Sequence, residues 1–207
     1  MNEFEKTDNE QLILKAAEQE FLTKGYDGAR TISIAQKAGV SHAMLHYYFR
    51  TKKQLFDRIM VKTIDAIQQT IVAAMGNPNM LFVERLKDGI GSLFDTMVAN
   101  PLLPRFFMNE IISRPELNSL LYERVASFVK KMVTELQKEA DKAAERGEIE
   151  KTDIRELLIT VMSLNIFPFL AYPFIEPVMG DMTIDRDKFF AERKAENIEI
   201  IMKRIKK

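Results

Sequence analysis

The chain has 207 residues, with 30 lysines and arginines against 30 aspartates and glutamates, so its formal net charge is zero. The whole-chain charge therefore indicates no polyanionic partner. The absence of cysteine excludes disulfides, thiolate metal sites and cysteine nucleophiles. The polar, acidic start MNEFEKTDNEQ is unlike a signal peptide, and together with the lack of cysteine it favours a cytoplasmic protein.

Helical periodicity runs through nearly the whole chain and alternating strand patterns are almost absent, which predicts an all-α fold. The first helix is predicted over 9–24, with Gly25 as its C-terminal cap. Short helices at 32–38 and 42–48 precede a long one over 52–75. After the break GNPN (76–79), helices are predicted over 81–99, 102–113, 116–146, 153–175 and 186–205, with breaks at Asn100-Pro101, Arg114-Pro115, Gly147 and 177–181.

The segment TISIAQKAGVSHAML (31–45) is typical of a helix-turn-helix. Gly39 stands where the first short helix must end, because a left-handed backbone costs glycine little. Ala35 is small enough for the second helix to cross closely, and Ser41 is a good N-cap for that helix. The angle between the helices is expected to hold Ile34, Ala38, Val40 and Leu45. In this arrangement the second helix enters the major groove of DNA.

Helical geometry assigns the faces of the second short helix. With Leu45 in the core and about 100° per residue, Ala43 and Tyr47 point most nearly outward. Met44 and His46 flank them, Phe49 turns back to the core, and His42 and Tyr48 lie at the edges. A small residue beside an aromatic one suits base edges and thymine methyl groups. Hydroxyl and imidazole groups at the margins suit phosphate oxygens.

Basic residues concentrate around this helix although the total charge is zero. Residues 28–62 include seven lysines and arginines and one acid, Asp57. Thr51 is predicted to cap the next helix, yet Lys52 and Lys53 occupy its first turn, where each cation opposes the helix dipole by about 0.3–1 kcal/mol. A phosphate bound at that N-terminus would explain both lysines. The alternative is that they are solvated surface residues.

Other kinds of site compete for the same segment. His42 and His46 are the two histidines of the chain, and their spacing would let them chelate a metal ion from one helix face. No HExxH glutamate and no cysteine offers a third ligand, so we expect no metal site and no cofactor. Catalysis would need an acid that orients a histidine, and the surroundings are basic. A purely structural stretch would pack Tyr47 and Tyr48 as core aromatics.

Residues 9–58 resemble the TetR (tetracycline-repressor-like) family of transcriptional regulators. The resemblance rests on FLTKGYDGA (21–29), IAQKAGVS (34–41) and the positions Leu45, Tyr48, Phe49, Lys52 and Leu55. It implies an N-terminal three-helix DNA-binding domain over 1–55 and a larger helical ligand-binding and dimerisation domain over 56–207. The residues predicted to contact DNA, most of them by matching position, are Thr31, Ser41, His42, Ala43, Met44, His46, Tyr47, Tyr48 and Lys52.

The chain departs from the family pattern within the same helix. Family members usually have tyrosine where His46 stands, glycine at Ala43, threonine at Met44, and an acid where Lys53 follows Lys52. The stretch before Ile34 is also one residue short. These departures leave the fold prediction intact, but the operator sequence cannot be read from the family.

The segment 157–175 (LLITVMSLNIFPFLAYPFI) has no charged residue and is just long enough to span a bilayer. It contains polar residues and prolines and directly follows charged ones, so we expect a helix buried within a protein assembly and no membrane partner. The resemblance implies that helices 153–175 and 186–205 form a four-helix homodimer interface. A charge at Leu158 or Val161 is expected to yield monomer or aggregate.

A ligand-responsive repressor needs an effector that binds the DNA-incompetent state better. We predict a cavity among helices 81–175 for an apolar or aromatic compound, with Pro168 opening space beside it. Its lining is drawn from Phe94, Met97, Phe107, Asn165, Phe167 and Tyr172. The alternative is a filled core, in which Asn165 bonds to another subunit or to a neighbouring backbone group.

Taken together, the sequence predicts a cytoplasmic, homodimeric, ligand-responsive regulator of transcription. We expect a repressor that binds a pseudo-palindromic double-stranded DNA operator. The alternative from another class is a helical small-molecule-binding protein without operator binding. A helical enzyme is disfavoured because no paired acid and base is found.

Overall fold

The computed structural model describes residues 3–77, 79–112, 119–180 and 185–206, and no strand occurs among them. The predicted all-α fold is confirmed. The helices are α1 (Glu3–Gly28), α2 (Thr31–Lys37), α3 (His42–Tyr48), α4 (Lys52–Met75), α5 (Phe82–Ala99), α6 (Leu103–Phe106), a π-helical segment (Phe107–Ile112), α7 (Ser119–Glu145), α8 (Ile154–Met179) and α9 (Arg186–Ile205).

The predicted bounds of α3, α4 and α9 are the observed ones. The helix predicted over 102–113 instead starts at Leu103 and changes to a π-helix at Phe107. The helix predicted to end at 175 continues to Met179. Pro78, residues 116–118 of the predicted seventh helix, the Arg114-Pro115 break and Asp181 lie outside the described residues.

The described residues form two compact units. The first contains those up to residue 65 together with those between 106 and 122, and the second contains the rest. In the first unit α1 packs on α2, α2 on α3, and the π-helical segment on α1. Its aromatic centre is Phe21, Tyr26 and Phe56, with the Phe56 ring 5.1 Å from Phe21 and 4.9 Å from Tyr26. This packing holds the two short helices in place.

Gly25 ends the regular path of α1, as predicted, with φ of 68° and ψ of 179°. A β-carbon at this position would lie 2.5 Å from Oε1 of Glu110 in the π-helical segment. The left-handed backbone therefore favours glycine here, and a larger residue would also have to displace the Glu110 carboxylate.

A buried carboxylate ties α1 to α2. Glu20 is fully buried, and its oxygens accept hydrogen bonds from Nζ of Lys24 at 2.7 Å and of Lys37 at 2.6 Å. Burial alone would raise the pKa of Glu20. The hydrogen bonds from Lys24, Lys37 and Ser33 outweigh burial and lower the pKa from 4.5 to about 2. The ionised form therefore stabilises the position of α2.

The core of the second unit lies among α5, α8 and α9, which pack on one another. Three aromatic rings, one from each helix, meet there. Phe169 lies 5.1 Å from Phe94 and stacks at 4.5 Å on Phe190, measured between ring centroids. The same core buries Val161 within the chain. A charge at Val161 would therefore disturb folding, so an aggregate formed by that variant would not by itself test the predicted dimer interface.

Two buried asparagines join α5, α8 and α9. Pro168 has no N–H to offer the carbonyl of Leu164, and Nδ2 of Asn197 donates to that carbonyl instead, at 2.7 Å. Asn197 also donates to Oδ1 of Asn165 at 3.3 Å, and Nδ2 of Asn165 donates to the Ile90 carbonyl at 3.1 Å. Asn197 thus occupies the space that Pro168 was expected to open, and both amides are satisfied within the chain.

The opposite face of α8 is apolar and uncovered. Phe167 is 65% exposed and Phe174 is 70% exposed, and Ile159 and Val178 lie on the same side. α8 is the one described helix that is long and apolar enough to cross a membrane, and only 22% of its most apolar stretch is buried. Among the described residues, no apolar side chains cover this face of α8.

Candidate nucleic-acid interface

Helix α3 is fixed to the first unit by its inner residues. Leu45 is 1% exposed, and Phe49 directly after the helix is also buried. Gly39 has φ of 69°, which confirms the left-handed turn expected between α2 and α3. The Ser41 hydroxyl accepts a hydrogen bond from the Met44 N–H at 3.1 Å and caps α3 as predicted. Sequence-local features thus set the direction in which α3 points.

The outward face of α3 carries the side chains that helical geometry assigned to it. Ser41, His42, Ala43, His46 and Tyr47 are exposed, whereas Met44 and Tyr48 are half-buried. Tyr47 is 64% exposed and lies at the middle of this face. The structure therefore brings together, on one side of one helix, a methyl group, a phenol and two imidazoles.

Thr31 joins this face from the start of α2. Its hydroxyl oxygen lies 3.0 Å from Nε2 of His42, and that nitrogen lies 3.2 Å from Nε2 of His46. The three side chains form a continuous polar row across the two helices. Sequence reasoning proposed Thr31 and both histidines separately but not their contact, because it did not combine the faces of α2 and α3.

The N-terminus of α4 lies after α3 and is capped by Thr51, whose hydroxyl accepts from the Gln54 N–H at 3.1 Å. Nζ of Lys52 donates to the Asp27 carbonyl at 3.2 Å and lies 4.7 Å from the centre of the Tyr26 ring. Lys53 pairs with Asp57 at 2.8 Å. Both lysines thus have partners within the chain, which offsets part of the dipole penalty that suggested a bound phosphate.

Tyr48 differs from its neighbour Tyr47. Its hydroxyl oxygen is buried and forms no hydrogen bond with a described residue. The two rings meet edge to face, with centroids 5.5 Å apart. A phosphate contact from the Tyr48 hydroxyl would therefore require the side chain to turn outward.

Arg30 and Arg50 flank the face and were not among the predicted contacts. Both side chains are exposed, and neither forms a hydrogen bond or ion pair with a described residue. Ile32 on α2 is also 58% exposed. A face assignment for α2, like that made for α3, would have identified Ile32 from the sequence.

Residues 13–59 match the family model described as bacterial regulatory proteins, tetR family. This match covers α2, α3 and the start of α4, which form the face described above. This part of the chain thus matches the TetR family over its DNA-binding region. It therefore carries a helix-turn-helix DNA-binding region, and α3 is its recognition helix.

Relatives of the chain are transcriptional regulators. The chain is 24% identical over 190 residues to the HTH-type transcriptional regulator RutR of Escherichia coli O157:H7, which covers 92% of this chain and 86% of RutR. It is 25% identical over 125 residues to the HTH-type transcriptional regulator YhgD of Bacillus subtilis, covering 56% of this chain and 65% of YhgD. The latter match thus spans less than two thirds of that relative.

Solved structures support the same fold over the whole chain. A bacterial regulatory protein of the tetR family from Rhodococcus RHA1 superposes with a TM-score of 0.73 at 18% identity, covering 96% of this chain and 97% of that one. At this identity the likeness shows the fold alone.

The six residues predicted to bind an effector do not line one common cavity in the structure. Phe94 and Met97 are buried in the core of the second unit, and Tyr172 lies half-buried with its ring 5.2 Å from that of Phe190. Phe167 is exposed on the opposite side of α8 from Asn165. Phe107 belongs to the π-helical segment of the first unit.

An open groove of about 540 Å³ lies elsewhere in the second unit, between α5 and α9. Its apolar floor includes Val83, Ile198 and Met202, and Lys87 and Lys206 stand at its rim. None of the six predicted residues lines it. Sequence reasoning missed this groove because its lining comes from two helices that are far apart in the chain.

Proposed function

We propose that this TetR-family regulator is a repressor that binds a pseudo-palindromic DNA operator as a homodimer and releases it when a small apolar effector binds. The outward face of α3 carries the proposal. A helix held by Leu45 and Phe49 presents Ala43 and Tyr47 to solvent, where they can reach base edges in a major groove.

The contacts to DNA divide into two groups in this proposal. Ala43, Met44 and Tyr47 meet bases. Thr31, Ser41, His42, His46 and Lys52 meet phosphates, which fix the helix in the groove without reading sequence. Arg30 and Arg50 extend the phosphate group, because their guanidinium groups are exposed and unpaired among the described residues. Tyr48 has the least support, since its hydroxyl is buried.

The homodimer rests on the uncovered face of α8. Phe167 and Phe174 each have about two thirds of their surface in water, and burying one such side chain stabilises an assembly by about 1.5–3 kcal/mol. A second copy related by a two-fold axis covers this face with itself, which is the geometry that paired half-sites need. A membrane is the alternative cover, and the charged turn at Asp153 and Arg155 favours the protein partner.

The effector is the part of the proposal with the fewest supporting contacts. Phe94 belongs to the aromatic cluster of the second unit, Tyr172 contacts that cluster, and Met97 is buried in the same core, which suits an apolar or aromatic molecule. Asn165 has both of its polar atoms bonded within the chain, so an effector that reaches it must displace Asn197 or the Ile90 carbonyl. The working compartment in this proposal is the cytoplasm.

Titration of labelled DNA from the region flanking its own gene tests the proposal most directly. We expect saturable binding that survives competition by unrelated DNA, with two chains per site by light scattering. Equal affinity for the flanking DNA and for unrelated DNA would contradict specific recognition of an operator. A dispersed monomer at micromolar concentration would contradict the proposed homodimer. It would favour the alternative, a helical small-molecule-binding protein.

A further inference from the structure

The two histidines of the chain converge on one point of the recognition helix. Nε2 of His42 and Nε2 of His46 are 3.2 Å apart, whereas their ring centroids are 4.4 Å apart. The two nitrogens are closer to each other than the ring centroids are, and the ring planes cross at 81°. Both residues are exposed, and water and solutes reach them.

We propose that His42 and His46 form a two-ligand site for a late first-row divalent metal such as Cu²⁺ or Zn²⁺. Imidazole nitrogens bind such ions at about 2.0–2.1 Å, so two tetrahedral ligands lie about 3.3 Å apart. The observed Nε2–Nε2 distance of 3.2 Å is close to this value. Cu²⁺ binds most tightly, following the usual order of affinity for nitrogen ligands.

The surroundings set the strength and character of this site. No group of three His, Cys, Asp or Glu side chains able to hold a metal occurs among the described residues, so water completes the coordination shell. The Thr31 hydroxyl, 3.0 Å from Nε2 of His42, can hydrogen-bond a metal-bound water. The bases that surround α3 in the sequence weaken cation binding. Because the site has two protein ligands and basic surroundings, it is expected to hold an exchangeable metal ion and not a structural one.

Metal binding and DNA binding use the same side chains if the proposed function holds. A bound ion takes the Nε2 atoms of His42 and His46, which then cannot donate to phosphates. Its water shell also adds bulk beside Tyr47 on the face that would enter the groove. The metal is therefore expected to weaken DNA binding, and by linkage DNA weakens metal binding by the same factor.

Calorimetric titration of the untagged protein with Cu²⁺, with Cu²⁺ electron paramagnetic resonance, tests the site without DNA. The chain has two histidines and no cysteine, so the H42Q/H46Q variant contains neither an imidazole nor a thiol. We expect one Cu²⁺ per chain in the wild type, at least a tenfold loss of affinity in H42Q or H46Q, and loss of the imidazole signal in the double variant.

A spacing variant supplies the matched control. H46Q/Y47H keeps two histidines but separates them by five residues, which turns the second ring about 100° around the helix. It is expected to bind Cu²⁺ no better than H46Q. Wild-type affinity in this variant or in H42Q/H46Q would overturn the site, because either result means that any surface group suffices.

Fluorescence anisotropy of DNA bound to the wild type, with Zn²⁺ and then with excess EDTA, tests the competition. We expect Zn²⁺ to lower DNA affinity severalfold and EDTA to restore it. If the DNA affinity is unchanged at a Zn²⁺ concentration shown to saturate the site, metal and DNA do not compete. A protein that binds no DNA at all would instead count against the proposed function, while the Cu²⁺ titration still decides the metal site.

Discussion

Two helices of this chain leave a broad face in water, and the two faces differ in chemistry. The outward side of α3 in the first unit carries imidazoles, a phenol and a capping hydroxyl, with exposed arginines beside it. The outward side of α8 in the second unit carries phenylalanine, isoleucine and valine. Polar hydrogen-bonding groups suit a polyanion, whereas an apolar face suits another apolar face. Exposure alone therefore does not identify the kind of partner, whereas the chemical character of the exposed side chains does.

The two units also bury polar groups in different ways. The first unit buries the carboxylate of Glu20 between two lysines, and the second buries the amides of Asn165 and Asn197 between helix carbonyls. A carboxylate titrates and an amide does not. The units should therefore respond differently to acid, in addition to offering different surfaces.

The largest expected effect is on the apolar face of α8. Phe174→Glu places one charge per chain in the proposed homodimer interface, and we expect the dimer dissociation constant to rise by at least about 100-fold because two charges are desolvated at once. Analytical ultracentrifugation measures the change. Val72→Glu is the matched control, since Val72 is 58% exposed on α4 and outside this face. If both variants remain dimers, α8 is not the interface.

Glu20→Gln should give the next largest effect. A shift of the pKa from 4.5 to about 2 implies about 3 kcal/mol, and we expect about 2 kcal/mol at neutral pH because Lys24 and Lys37 are half exposed and screened. The folded-state pKa lies below the unfolded one, so this contribution is complete above pH 4.5 and is lost as pH falls toward 2.

Urea unfolding of the wild type and Glu20→Gln at several pH values measures that difference. The gap between the two proteins should narrow in acid. Glu18→Gln, on the same helix and without an ion pair to a described residue, should leave stability nearly unchanged at every pH. A constant gap would mean that Glu20 acts by packing and not by charge.

Asn197→Ala should destabilise the second unit by about 1–3 kcal/mol, because it leaves the Leu164 carbonyl without a donor. Chemical unfolding measures this cost, and it should not vary between pH 7 and pH 4. Glu196→Ala, an exposed neighbour on α9, is the control. A strongly pH-dependent cost would contradict the distinction drawn between the two buried polar sites.

Sequence reasoning succeeded where local rules decide the outcome. Ser41 and Thr51 cap their helices, Gly39 turns the chain, and Leu45 points inward, and each follows from residues within a few positions. The bounds of α3 and α4 followed for the same reason.

It failed where distant segments meet. No local pattern says that Asn197 will replace the N–H missing at Pro168, which lies in the preceding helix. Position 197 does precede Ile201 on the buried stripe of α9, so a polar residue there could have been noticed. The π-helical turn at Phe107 and the exposure of Phe167 likewise depend on how helices pack, which periodicity alone does not specify.

Contacts between α3 and DNA should show smaller effects. Lys52→Ala is expected to weaken binding about three- to tenfold for all sequences and to lower the salt slope by about 0.9, because it removes one phosphate contact. Tyr47→Ala should change sequence preference as well. Lys62→Ala removes the same charge from an exposed site on α4 and should have little effect. Anisotropy titrations across a salt series measure all three, and equal slopes for Lys52→Ala and wild type would refute the phosphate contact.

Tyr48→Phe should have the smallest effect and is the sharpest test of the polar face. The hydroxyl is buried and unbonded among the described residues, so its removal should leave stability unchanged or raise it by up to about 1 kcal/mol. DNA affinity should stay within about threefold of wild type, because a covered hydroxyl offers nothing to a phosphate. A loss as large as that of Lys52→Ala would show instead that the ring turns outward on DNA. The polar face of α3 would then be wider in the complex than in the free chain.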